Sequence, residues 1–172
     1  MALLPIVTAP DPRLKTRSAP VETVDDEVRR LMDDMLETMY AAPGIGLSAI
    51  QVNIPRRIVV IDVAREGETA QPIFMVNPEI VQMSDDGAVY DEGCLSLPDH
   101  FAEIERPESV RVSFVDREGK SRSLEADGLL SRCIQHELDH LDGVLFTDHL
   151  TALKRNMILR KLAKLKRQKV AV

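Results

Sequence analysis

The sequence predicts an α+β fold: antiparallel or mixed β-sheets packed around a central metal-binding helix, with one helix near the N-terminus and another near the C-terminus. Three observations predict it. An early segment spaces its apolar residues with the 3.6-residue period of a helix. Several middle segments are rich in Val and Ile and read as strands. Two helical patterns close the chain, and the first of them carries His136-Glu137-Leu138-Asp139-His140.

The elements follow in order. Asp25 or Asp26 is positioned to cap a helix running to about Ala41, with Val28, Leu31, Met32, Met35, Leu36 and Met39 on one face and Pro43-Gly44 as its stop. The methionines read as core filling, because an unbranched thioether adapts to irregular gaps. Gly44-Ile45-Gly46-Leu47 is a turn. Arg57 to Val63 and Ile73 to Ile80 are expected strands, separated by a polar loop from Arg65 to Gln71. Ser109 to Asp116 and Lys120 to Ala126 alternate around Arg117-Glu118-Gly119, the pattern of a hairpin. Asp127 is expected to cap the second helix and Gly143 to end it. Leu129, Leu130, Ile134, Leu138 and Leu141 form its apolar stripe, so this helix should be largely buried. A third, basic helix is expected from Thr147 or Asp148 to near Gln168.

Length and composition bound the possibilities. A chain of 172 residues without repeats or a linker is expected to be one domain, 1–172, large enough to bury a core. No segment approaches the ~20 apolar residues of a membrane span. Met1 to Thr8 lacks a basic leading region or cleavage pattern and reads as part of the fold. Two cysteines, Cys94 and Cys133, without a secretion signal point to a reducing cytoplasm, where a thiolate remains available as a metal ligand. The net charge of −6 conceals an asymmetry: Leu150 to Val172 holds eight basic residues and no acidic one, leaving 14 basic against 28 acidic elsewhere.

On a helix, His136 and His140 share a face, so both imidazoles can reach one ion, and Glu137 is placed to take a proton from its water. Burying two unpaired imidazoles and a carboxylate is costly unless something binds them. A catalytic site of this kind needs a third protein ligand and one open position. Thermolysin-like proteases use a Glu well downstream, but no Glu follows Glu137. Metzincins use a third His, and Phe146 stands at that position. Cys133 shares a face with His136 but lies seven residues, roughly 10 Å of helix, from His140, and reads as a small buried apolar residue. His100 and His149 have no helical relation to the pair and read as surface or capping residues. Cys94 remains, with an inert core thiol as its alternative reading.

Three separated motifs then resemble those of the peptide deformylase family: Gly44-Ile45-Gly46-Leu47-Ser48-Ala49-Ile50-Gln51, Glu92-Gly93-Cys94-Leu95-Ser96 and Gln135-His136-Glu137-Leu138-Asp139-His140. The first departs from the family pattern at Ser48, where Ala is usual. Order and separations also match, from Pro5 to the last helix, and without an organellar extension the chain resembles a bacterial form. The resemblance implies metal-dependent removal of the formyl group from the initiator methionine of nascent chains, with release of formate. It implies Cys94, His136 and His140 as metal ligands, and Fe2+ as the usual native ion with Zn2+, Ni2+ or Co2+ as substitutes. Glu137 would be the general base, and the Gln51 amide and Leu95 N–H would hold the oxyanion. Ile45, Gly46 and Gly93 would face the peptide, with Leu129 and Cys133 joining Ile45 as pocket walls. Glu92 and Arg106 would pair and brace the Cys94 loop. Tyr90, Phe101 and Arg132 depart from the residues usual in relatives and alter the expected pocket rim.

Leu150, Leu153, Met157, Leu162 and Leu165 fall near one face of the last helix, and basic residues cover the remainder. The expected partners are therefore formyl-methionyl peptides and, through this helix, ribosomal RNA, with no membrane and a monomeric state. Two rival readings remain at this point: a metallopeptidase of the His-Glu-x-x-His type, and a non-catalytic ribosome-binding module.

Overall fold

The computed structural model describes residues 2–170, the last by its backbone alone. Met1, Ala171 and Val172, the ends of the expected domain, lie outside the described residues.

The first helix, α1 (Asp26–Ala41), begins as its sequence demands: the Asp25 carboxylate accepts the Val28 N–H at 2.9 Å. Val28, Met32, Met35 and Met39 are fully buried on its inner face. Seven strands follow: β1 (Gly46–Ser48), β2 (Ile58–Ile61), β3 (Ile73–Met83), β4 (Gly87–Cys94), β5 (Leu97–Pro107), β6 (Ser109–Val115) and β7 (Ser121–Asp127). Among the described residues they form a five-stranded sheet in the order β1-β2-β3-β6-β7 and a two-stranded sheet of β4 and β5, with every strand pair antiparallel.

The core follows from the two-residue period of β2. Ile58 and Val60 face α1, together with Leu47 and Val76. Val59 and Ile61 face the opposite way, with Met75, Val112 and Phe114, against the second helix, α2 (Gly128–Leu141). Cys133, Ile134, Leu138 and Leu141 are the α2 side of that core. A third cluster joins Leu97 and Ile104 of β5 to Val7, Leu14, Phe146 and Leu162. The helix with the histidine pair thus lies between the large sheet and the β4–β5 ribbon.

The hairpin expected around Arg117-Glu118-Gly119 is β6–β7, with Gly119 at φ +81° and its N–H donating to the Asp116 carbonyl at 3.0 Å. Gly143 ends α2 at φ +76°. Several expectations change. Asp127 precedes α2, but its side chain makes no capping hydrogen bond; it ends β7, where pairing with Ser109 sets its conformation. Residues 87–107, which carry no strand signal in the sequence, form the longest two-stranded ladder of the molecule. The third helix, α3 (Ala152–Val170), starts later than expected, because Phe146–His149 form a separate 3-10 turn. Leu129 of the α2 stripe is 48% exposed. Of the stripe expected on α3, Leu162 is buried, whereas Leu153 is 73% and Met157 48% exposed, since only one part of the helix meets the body. No helix of the described residues is long and apolar enough to cross a membrane.

Candidate metal centre

Helical spacing brings the His136 and His140 rings to 4.9 Å between centroids, with their Nε2 atoms 3.2 Å apart. Cys94 comes from another element. It ends β4, beside a register shift where the ribbon bends into Leu95-Ser96, and its Sγ lies 3.4 Å from His140 Nε2. The three donor atoms all lie within 4.8 Å of one another. Cys133, on the same helix, is not part of the cluster. Burial, followed by the nearby Glu137 and Glu92 carboxylates, pushes its thiol pKa well up, and its Sγ points to the Ile45 carbonyl at 3.6 Å.

A neighbouring carboxylate fixes the direction of one of the two rings. His136 Nδ1 lies 3.0 Å from Glu92 Oε1, so the ring donates there and turns Nε2 toward the cluster; burial opposes its charge, but the adjacent Cys94, Glu92 and Glu137 outweigh it and hold its pKa well above the usual imidazole range. Burial opposes ionisation of Glu92, but hydrogen bonds from His136 and Arg106 outweigh it and hold its pKa at about 2. Arg106 grips Glu92 with two hydrogen bonds of 2.5 and 2.9 Å and reaches Asp139 at 2.9 Å. This pair is buried on both sides, so it is more than a surface ion pair. Burial, and then His136, push His140 well below the usual imidazole range, which leaves it neutral as a ligand must be. His149, expected at the surface, joins the outer part of this network at 2.9 Å from Asp139.

These residues fit a divalent cation. A soft sulfur and two imidazole nitrogens converge, and the outward nitrogen of His136 is anchored by a carboxylate. A Cys-His-His set with a carboxylate alongside is suited to metal-assisted hydrolysis.

Glu137 lies beside the cluster, its Oε1 3.9 Å from His136 Nε2. Burial raises its pKa, against the pull of His136 and of the Ser48 hydroxyl. Gly46 permits this approach: a Cβ there would stand 2.7 Å from Cys133 Sγ and 2.9 Å from Glu137 Cγ. Gln51, in the short 3-10 turn after β1, is also buried. Its Oε1 accepts the Ser48 N–H at 2.9 Å, which turns Nε2 toward Ser96 Oγ at 3.0 Å and Cys94 Sγ at 3.6 Å. Ser48 and Ser96 have parts here that sequence reasoning did not assign. The signal for Ser48 was its departure from the Ala of the resembled motif.

A cavity of about 490 Å3 opens above Cys94, His136 and Glu137. Ile45, Gly46, Gly93, Leu95, Leu129 and Cys133 all line it. Phe101, 69% exposed, lies over Gly93 at its mouth. Arg132 forms part of one wall, its guanidinium 4.1 Å from the Tyr90 ring centre and 3.3 Å from Glu92. A larger, open depression of about 660 Å3, lined by residues such as Gln82, Ser109 and Arg111, lies away from this chemistry.

Comparison with known proteins identifies relatives of the whole chain. A family model described as polypeptide deformylase matches residues 3–156. A peptide deformylase of Agrobacterium fabrum is 57% identical over 170 residues, covering 99% of this chain and all of that protein. The crystal structure of a peptide deformylase from Ehrlichia chaffeensis superposes with a TM-score of 0.94 at 40% identity, covering 98% of this chain and 99% of that one. A structure of the same organism's enzyme in complex with actinonin gives 0.93 at 43% identity, with coverage of 97% and 99%.

Proposed function

The chain belongs to the polypeptide deformylase family, and from that membership we propose that its Cys94–His136–His140 centre removes the N-formyl group from the initiator methionine of nascent polypeptides. The observation that carries this reading is the meeting of the three donor atoms beside a cavity that Cys94, His136 and Glu137 line.

Cys94 as thiolate and His136 and His140 through Nε2 would hold the cation, with Fe2+ as the native ion and Zn2+, Ni2+ or Co2+ as alternatives that the donors also suit. A cation there supplies Lewis acidity, polarising a carbonyl and acidifying water. Glu137 performs the proton transfer. Its raised pKa suits a group that accepts a proton from the attacking water and delivers it to the departing amine. A C–O bond forms at the formyl carbon, the C–N bond breaks, and the products are formate and a free methionine amine. The oxyanion is met by the Gln51 amide N–H and the Leu95 backbone N–H. Gln51 is suited to this because its orientation is set before substrate arrives.

Substrate would lie extended between two strand edges. β1 is the edge of the large sheet and β4 has β5 on one side only, so Gly46 and Gly93 can offer backbone groups to a peptide, with Ile45 facing it beside them while its carbonyl accepts the Asp62 N–H at 2.9 Å. Ile45, Leu129 and Cys133 would enclose the methionine side chain, and their exposure or thiol character suits an apolar, adaptable guest. Glu92 and Arg106 would brace the Cys94 and His136 ligands.

The whole chain, 1–172, would work as a single catalytic domain, monomeric and cytoplasmic. Exposed basic residues of α3 would dock on ribosomal RNA. The test is formate release from a formyl-methionyl tripeptide by anaerobically purified protein, with metal measured on the same sample. Stoichiometric metal with formate release is expected; cleavage at internal peptide bonds instead would mark a metallopeptidase.

A further inference from the structure

We propose that Ser48 is a positioning residue for Glu137: its hydroxyl holds one oxygen of that carboxylate and leaves the other oxygen to handle the proton. This rests on the deformylase reading for the role of Glu137.

The two oxygens of a carboxylate are equivalent until a neighbour distinguishes them. Ser48 Oγ lies 2.7 Å from Glu137 Oε2 and 3.0 Å from the Glu137 backbone carbonyl. A hydroxyl has one proton, and an ionised carboxylate is the stronger acceptor, so the proton goes to Oε2. Oε1 is the oxygen that lies 3.9 Å from His136 Nε2, beside the ligand cluster. Ser48 has no exposed surface and Glu137 is 4% exposed, so water does not substitute for the hydroxyl from the Ser48 side. Without it, Oε2 is either left unsatisfied or the carboxylate rotates away from its working orientation.

The two halves of Ser48 act on different partners. Its N–H orients Gln51 and its hydroxyl orients Glu137. Ser48→Ala keeps the first and deletes the second. A group that only orients the base, touching neither substrate nor ligands, should change kcat and leave KM and metal content alone.

The experiment compares wild type, Ser48→Ala and Ser48→Thr, each loaded with zinc, on a formyl-methionyl tripeptide. For Ser48→Ala, a fall in kcat of about tenfold is expected, with KM within twofold, full zinc content, and recovery in Ser48→Thr. Unchanged kcat, a change confined to KM, or loss of zinc would each overturn the proposal. A second readout needs no turnover. Ser48→Ala is expected to lower the Tm by about 3 °C in the wild-type background and by under about 1 °C in a Glu137→Ala background. Equal shifts in both would mean that the hydroxyl acts on the backbone carbonyl of residue 137, which both backgrounds keep, and would overturn its role on the carboxylate. Failure of wild type to release formate would instead remove the deformylase reading, whatever the variants do.

Discussion

Helices α2 and α3 make opposite use of polar residues. In α2, Ser131, Arg132, Gln135, His136, Glu137 and His140 are buried, and nearly all meet a partner. In α3, Leu162 is the buried residue among those whose side chains are described, and the basic side chains are exposed or partly so. A polar group removed from water is costly unless it is satisfied, so a buried set of this kind persists where it binds or reacts. A charge left in water costs little, so an exposed basic face can be kept for a partner. The contrast predicts that substitutions in and around α2 act on chemistry and stability, and those on α3 act on association.

The largest effect is expected at the ligands. Cys94→Ala should reduce bound metal from about one per chain to near none, by elemental analysis, and abolish formate release with it. Tight stoichiometric metal in that variant would break the assignment. Glu137→Ala should keep its metal and lose about 10²–10⁴-fold in kcat, because proton transfer rather than binding is removed. Gln51→Leu should follow with a loss of about 10²–10³-fold in kcat, again at full metal content. A near-native rate would take Gln51 out of the mechanism.

Arg106→Ala tests the bracing network. It leaves Glu92 buried without its main counter-ion, so a destabilisation of about 3–5 kcal/mol by denaturant unfolding is expected, with weaker metal binding. The network also has a pH signature. Glu92 has a native pKa of about 2 against an ordinary 4.5, so its contribution is complete above about 4.5 and is lost as pH falls toward 2. Metal-free protein should lose stability across that window, and Glu92→Gln should show a flatter profile there.

The smallest effect on turnover sharpens the contrast from the other side. Lys161, Lys164 and Arg167 are exposed at helical spacing, and reversing all three to Glu should leave kcat on a tripeptide within twofold. Ribosome co-sedimentation should weaken, and the wild-type interaction should itself fall steeply with salt. Deleting residues 161–172 is a poorer test, because it also removes Leu162 from the core cluster around Phe146. Co-sedimentation indifferent to the three reversals would refute the docking role.

Much of the large sheet and both of its helices was legible because local patterning and burial agree there. The α1 methionines, the buried β2 run and the Gly119 turn each carry their own signal. The β4–β5 ribbon was not legible. Asp91, Glu103 and Glu105 are exposed, while Glu92, Ile104 and Arg106 are inward, so charged residues occupy both faces and no apolar alternation survives. The start of α3 differs because Thr147 and Asp148, where the helix is expected to begin, lie in a separate 3-10 turn that closes before Ala152. In the site, the histidine pair declares itself through helical spacing, whereas the link from Ser48 to Glu137 spans 89 residues and has no local period.

The sequence by itself determined the helix that pairs His136 with His140, the glutamate beside them and the basic end of the chain, because each depends on neighbours within a few positions. Only the tertiary structure decided that Cys94 meets those rings, that Glu92 and Arg106 lock the imidazole behind them, and that one oxygen of Glu137 is held by a serine on the edge strand of the large sheet. The reason is range. Backbone periodicity acts over one or two turns, while the direction of a buried side chain is set by whatever distant segment packing brings against it.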